Sequence, residues 1–409
     1  MGRFKWGQVL TLNSILRHAA FPWAASVLGA LIAIAVVPVL IELPIYFTEA
    51  TQLATGHLLP TTQPLSWPIG YSLILAPFVY LAGVDGVVAI QVVSYSATCW
   101  LFWKILVEVA RANRRSVSPI VLGLGVALVA FHPYLLLDIK RVNESSFTPL
   151  LTLIIFRWIL IEEVSHRFKD AILMGATIGL YVLMRPNAVT ISMLPMIAAL
   201  ISRFRRPGAG WLAIYVVTFI IFYVSASLYA TGQLFYWPSN GPYNLAAGNN
   251  PFAATELIHH QNGEPFLPAA LALMGLPNVD PYLVAPMEYT KIGMSYLIDH
   301  PLQFFELIAI KIVVLFSPRL FNADTTFKVA MQSLLLYPVA AYLVTLLWRI
   351  RARTFSWPDW FMMGMVFLFT LPFALTNADP RLRMPLDLVM LGMALIWLDE
   401  RLARTTKSF

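Results

Sequence analysis

The residues best suited to chemistry in this chain are acids and arginines at the ends of apolar runs. Glu42 closes the first long apolar stretch, and Tyr46 and Ala50 follow at intervals of four, the spacing of one helix face. Glu144 opens a later apolar run, Arg185 lies between two others, and Arg381 and Arg383 precede the last. Ionisable groups at such positions are costly to desolvate, so each is expected to have a role or a partner. If these ends share one side of a membrane, carboxylates and guanidinium groups converge there. Such a cluster suits a reaction that moves a proton and releases an anion. Snorkelling and structural ion pairs account for the same placement equally well.

The elements that must position these groups are membrane helices. Of the 409 residues, 59% are hydrophobic and 12% charged, against about 25% charged in soluble domains. The mean hydropathy of +0.71 agrees. A single cysteine, Cys99, excludes a disulfide scaffold. The net charge of +7 is concentrated in Arg3/Lys5/Arg17, Arg111/Arg114/Arg115, Arg203/Arg205/Arg206, Arg349/Arg351/Arg353 and Arg401/Arg404/Lys407. These flank apolar runs as cytoplasmic loops do, so the charge reads as topology and no nucleic-acid partner is expected. The run Ala19–Leu43 is too long for a signal-peptide core and reads as a retained anchor.

Placing the basic clusters inside gives a parity test. The first span runs outward, and an odd number of crossings must precede Arg111. A stretch of about 15 residues is too short to cross, so 68–83 is expected to lie embedded on the outer side while 86–108 crosses. Further spans are expected near 117–137, 147–161, 171–184, 187–201, 211–230, 327–347, 359–376 and 384–399, with 302–317 embedded. The expected fold is an all-α polytopic membrane protein with about ten transmembrane helices plus outer juxtamembrane helices. Residues 1–230 form a transmembrane module with a first external loop at about 44–85. Residues 231–326 form a large external loop with a juxtamembrane helix, and 327–409 the last helices.

The first outer segment is the most specific. After Glu42, Tyr46 and Ala50 come Gly56-His57, then Trp67-Pro68-Ile69-Gly70-Tyr71, then Gln91. Here the chain resembles the glycosyltransferase C superfamily, in the branch of protein O-mannosyltransferases and bacterial aminoarabinose and arabinofuranosyl transferases. That branch usually has Asp where this chain has Glu42. Asn143-Glu144 resembles its second outer loop, and Gly175, Gly179 and Arg185-Pro186 resemble its "G…G…RP" segment. Gly248-Asn249-Asn250-Pro251 is similar to a glycine-asparagine element, and Asp379-Pro380-Arg381-Leu382-Arg383 to the late "RYRLP" segment.

The resemblance implies an inverting transfer of a sugar from a polyprenyl-phosphate donor to a hydroxyl of a glycan, lipid or protein acceptor. The site would face the periplasm or cell exterior of the inner (plasma) membrane. Glu42 would be the general base, with Glu144 its rival. Arg185, Arg381, Arg383, Lys140 and Arg141 are the candidate contacts to the donor phosphate. Tyr46, His57, Tyr71, Asn249 and Asn250 are the candidate pocket. A divalent metal ion assists some relatives, and this sequence shows no clear ligand set. His259-His260 with Glu264 is the nearest candidate for zinc, but adjacent histidines do not share a helix face. A secondary transporter or lipid-linked-sugar flippase is the alternative. It would need midplane charges and matching halves, whereas these charges collect at outer ends and no repeat is visible. A non-catalytic assembly subunit would tolerate replacement of Glu42.

Overall fold

The computed structural model describes residues 12–39, 44–60, 66–160, 168–200, 209–254, 284–317, 334–376, 378 and 380–405. Glu42, Asp379 and 259–264 lie outside the described residues, as does the side chain of Arg381. The described residues form helices, 3-10 turns and loops, with no strand among them. In chain order the helices are α1 Leu12–Arg17, α2 Ala20–Val36, α3 Pro44–Ala54, α4 Ile69–Ala112, α5 Pro119–Ala130, α6 Pro133–Asp138, α7 Thr148–Leu160 and α8 Phe168–Met184. Then come α9 Val189–Leu200, α10 Ala209–Thr231, α11 Asn240–Gly248, α12 Pro286–Asp299, α13 Pro301–Leu315, α14 Tyr337–Arg351, α15 Trp357–Leu375 and α16 Met384–Thr405.

Hydrophobicity is distributed as a lipid-facing protein requires. In α2 the buried face is small, with Ser26, Gly29, Ala30 and Ala33. The large apolar residues Val27, Leu28, Leu31 and Ile32 are exposed. Small residues inside and large aliphatics outside allow close helix packing where water does not drive association. By length and apolarity α4 and α10 could each cross a membrane, while α2, α5 and stretches of α9 and α15 are apolar but shorter. The expected long spans are thus often interrupted. The run 117–137, for example, breaks at Phe131–His132 and resumes as α6, because Pro133 cannot continue the α5 hydrogen-bond ladder.

Helix α4 is two arms. Gly83 sits at φ 57°, ψ −133°, and Ala82 is also non-helical. Only glycine takes that left-handed conformation at little cost, so the chain turns between the arm Ile69–Leu81 and the arm beyond. This is where the sequence separates an embedded segment from a crossing one.

Polar contacts sort the helix ends onto two faces. On one, Arg17 Nη2 donates to Val117 O (3.5 Å), and Arg115 pairs with Asp399. Arg157 Nε lies 2.6 Å from Glu108, and Arg349 Nη2 lies 3.0 Å from Asp359. These contacts gather the basic-cluster ends of α1, α4, α7, α14, α15 and α16. On the other face lie α3, the start of α4, the turn before α7, the α8–α9 turn, α11 and the end of α15.

Candidate active site

A cavity of about 310 Å³ opens on this second face, its wall including Tyr46, Trp67, Glu144, Arg185, Asn187, Asn240, Asn244, Phe373, Thr376 and Leu382. Its walls come from sequence-distant elements, each brought in by a local device. Asn143 caps the short 3-10 turn Glu144–Ser146 by accepting from Ser145 N (2.8 Å). Ser94 Oγ on α4 donates to Ser146 O (2.9 Å), tying that turn to α4. Arg185 ends α8 with extended backbone, φ −141° and ψ 99°, as a residue before proline must. The α8 end lies hard against the start of α4. A Cβ on Gly70 would come within 2.7 Å of Leu183 C and Met184 N, so only glycine permits that approach.

Trp67 and α11 are joined by a reciprocal pair of hydrogen bonds. Ser66 N donates to Ser239 Oγ (2.7 Å) and Ser239 N to Ser66 Oγ (3.0 Å). Asn240 N adds a bond to Ser66 O (3.2 Å). Tyr236 Oη donates to Trp67 O (2.9 Å). Tyr46 packs edge-on to Trp67 (6.3 Å) and Tyr71 (5.2 Å). Buried in this aromatic nest, the Tyr46 hydroxyl is pushed well above its ordinary pKa, first by desolvation and then by the negative charge of Glu144. It stays protonated and donates to the Glu144 carboxylate.

Arg185 carries the electrostatics. Its Nη2 lies 3.3 Å from Glu144 Oε1 and donates to Ser145 Oγ at 2.9 Å. Its Nε and Nη1 are buried without a partner. A buried guanidinium with unused N–H groups is costly unless a ligand or water completes it. Arg185 also edges a void of about 10 Å³ between α9 and α15, room for at most one water.

The remaining sequence-predicted residues are dispersed. Tyr71 is buried behind Tyr46 and accepts from Gln91 Nε2 (3.1 Å). His57 is exposed and shares a hydrogen bond with Thr55 Oγ1 (2.9 Å), away from the cavity wall. Lys140 Nζ donates to Ile34 O (2.9 Å) at the end of α2, and Arg141 does not line the cavity. Arg383 is fully buried, with Nε on Asp387 (2.7 Å), Nη1 on Leu315 O (2.9 Å) and Nη2 on Leu335 O (3.4 Å). Asn249 donates to Leu245 O and Leu375 O and accepts from Lys311 Nζ (2.8 Å). Asn250 donates to Ala246 O and Ala247 O. Both asparagines end α11 rather than face the cavity.

Four polar residues of the wall escaped the sequence reading: Asn187, Asn240, Asn244 and Thr376. The spacing of four between Asn240 and Asn244 on one short helix was the available signal. Glu49 follows Tyr46 by three residues on α3. It is buried on α3 and accepts from Ser72 Oγ (2.7 Å). Desolvation lifts its pKa from 4.5 to about 7 against the opposing Ser72 bond.

No three His, Cys, Asp or Glu side chains converge among the described residues. The acid on the cavity wall, Glu144, already faces Arg185.

No family model matches the chain, and no curated protein matches its sequence. Among solved structures, the crystal structure of an Archaeoglobus fulgidus oligosaccharyltransferase in the apo form aligns over 95% of this chain at 12% identity, with a TM-score of 0.48. The chain spans about half, 52%, of that protein's length.

Proposed function

We propose that this chain is an inverting glycosyltransferase that moves a sugar from a polyprenyl-phosphate donor to an acceptor hydroxyl. The observation that carries the reading is Arg185: a buried guanidinium on a cavity wall, held by Glu144 and Ser145, whose Nε and Nη1 have no hydrogen-bond partner among the described residues. Apolar Met184, Phe373 and Leu382 lie on the same wall, which suits a phosphate delivered on a lipid chain. Charge-assisted N–H···O bonds to phosphate are the strong class of hydrogen bond, and they strengthen as the leaving phosphate gains charge.

In the proposed step a carboxylate takes the acceptor hydroxyl proton. The acceptor oxygen attacks the anomeric carbon as the carbon–oxygen bond to phosphate breaks, and the electron pair leaves with the phosphate. Glu42 is assigned as the base from the Glu42/Tyr46/Ala50 pattern. Glu144 is assigned to holding Arg185 and Tyr46 in register. Arg381, next to the wall residue Leu382, is assigned as a second phosphate contact. The reaction takes place on the face opposite the basic loops, the cell exterior or periplasm of a plasma membrane with about ten crossings.

Radiolabel transfer from a panel of polyprenyl-phosphate sugars to envelope acceptors tests the activity. In single turnover, Glu42→Gln should lose about 10²–10⁴-fold, the usual contribution of a general base, while donor binding persists. Glu144→Gln should weaken donor binding as well, because Arg185 loses its anchor. Wild-type turnover by Glu42→Gln with none by Glu144→Gln would move the base to Glu144.

A further inference from the structure

The same cavity carries a set of groups that neither the base nor the phosphate contact uses. Asn240 and Asn244 lie one turn apart on α11, and Asn187 follows the Arg185-Pro186 turn; all three line the wall. No hydrogen bond engages their carboxamides among the described residues, whereas Asn249 and Asn250 on the same stretch are fully engaged. Helix α11 is nonetheless fixed in place. The Ser66–Ser239 pair holds its start, and Asn249 bonds its end to Leu375 O and to buried Lys311. Trp67, half-buried and carried by Ser66, stands beside them on the wall.

We infer that Asn187, Asn240, Asn244 and Trp67 form the subsite that reads the transferred sugar, and that this sugar is a single uncharged ring. The inference rests on the donor reading above. A carboxamide both donates and accepts without bearing charge, which matches hydroxyl groups and offers a carboxylate or ammonium substituent no counter-ion. The tryptophan face supplies an apolar platform with little entropy to lose. Size sets the other limit. At about 310 Å³ the cavity lies at the lower end of small-molecule sites, roughly 300–1,000 Å³. A sugar ring beside its phosphate fills such a space, and the further rings of an oligosaccharide would lie beyond the wall that carries Asn187, Asn240, Asn244 and Trp67.

The test uses the full chain in lipid nanodiscs and measures affinity for farnesyl phosphate alone and for farnesyl phosphate bearing a neutral hexose, a glucuronic acid, an amino hexose or a trisaccharide. The wild type should bind the neutral-hexose probe about tenfold or more tighter than farnesyl phosphate alone, and the other three no better than farnesyl phosphate alone. Asn240→Leu/Asn244→Leu should erase the preference while leaving farnesyl phosphate affinity within about twofold. Each single variant should lose about three- to fivefold of it, which keeps the test usable where the double variant does not fold. Retention of the full preference by the folded variants would overturn the subsite. Equal or tighter binding of the charged or trisaccharide probes would overturn the substrate class. The donor reading itself fails by a different result: no binding of farnesyl phosphate to the wild type, or no weakening by Arg185→Gln.

Discussion

The two faces of the molecule use their charged residues in different ways. On the basic-loop face several charges are held in pairs. Arg115 meets Asp399 and, at 3.8 Å, Glu400; Arg349 meets Asp359 and, at 3.7 Å, Glu400; Arg157 meets Glu108. Each pair joins different helix ends, so the cluster acts as a clamp. On the cavity face Arg185 has one nitrogen engaged and two without a partner among the described residues, where no hydrogen bond engages three carboxamides of the same wall. Arg383 makes the contrast sharper because it is as buried as Arg185 and yet has its donors on Asp387 and three backbone carbonyls. Burial is the same in the two arginines, and what differs is how many of their donors are used among the described residues.

The comparison breaks most readily at Arg383. Arg383→Met should cost about 3–5 kcal/mol of stability, because Asp387 is left as an uncompensated buried charge. Arg185→Gln should change stability far less and instead weaken donor binding by about 1.5–3 kcal/mol, the range for hydrogen bonds to a charged group. Denaturant unfolding in detergent beside a donor-binding assay reads both. The reverse pattern would exchange the roles of the two arginines.

Glu49 extends the comparison to pH. Its folded pKa of about 7 lies above the ordinary 4.5, so the protonated side chain is the one the fold favours. Its stabilisation is fully present below about pH 4.5 and is lost as pH rises through about 7, a change of up to about 3 kcal/mol. Unfolding followed from pH 4.5 to 8 should show a steeper fall for wild type than for Glu49→Gln. Parallel curves would mean that Glu49 is ionised throughout. The smallest effect belongs to the partly exposed Arg157–Glu108 pair, where Arg157→Ala should cost about 0.2–1 kcal/mol and less in high salt.

Much of the helix pattern was legible because apolar run length and the Pro and Gly breaks are local properties. Gly83 marks the turn in α4, and Arg185-Pro186 ends α8, for reasons contained in two or three residues. Tyr46, Glu144 and Arg185 each lie near the end of an apolar run in the sequence, and the fold brings those ends to one cavity. What stayed hidden depends on distant partners. Nothing near Arg383 announces that Leu315 O and Leu335 O, 68 and 48 residues away, will occupy its nitrogens. The Gly248-Asn249-Asn250 run draws attention, yet its side chains finish a helix. The quieter pair Asn240/Asn244 faces the cavity, because the Ser66–Ser239 contact across 173 residues sets the rotation of α11.

That contact also dictates an order of assembly. Arg185 and its neighbours Glu144 and Ser145 lie about 40 residues apart in the chain, so they can pair while the helices between them are being inserted. Two opposite charges then face the bilayer edge already neutralised, which avoids much of the cost of leaving either one there alone. Ser239, Phe373 and Leu382 follow later in the chain, so a nascent chain holds Arg185 before the cavity wall is complete. The wall is complete only once Phe373 and Leu382 have joined it, and C-terminal truncations that spare Glu144 and Arg185 would still be expected to yield an open, unformed site.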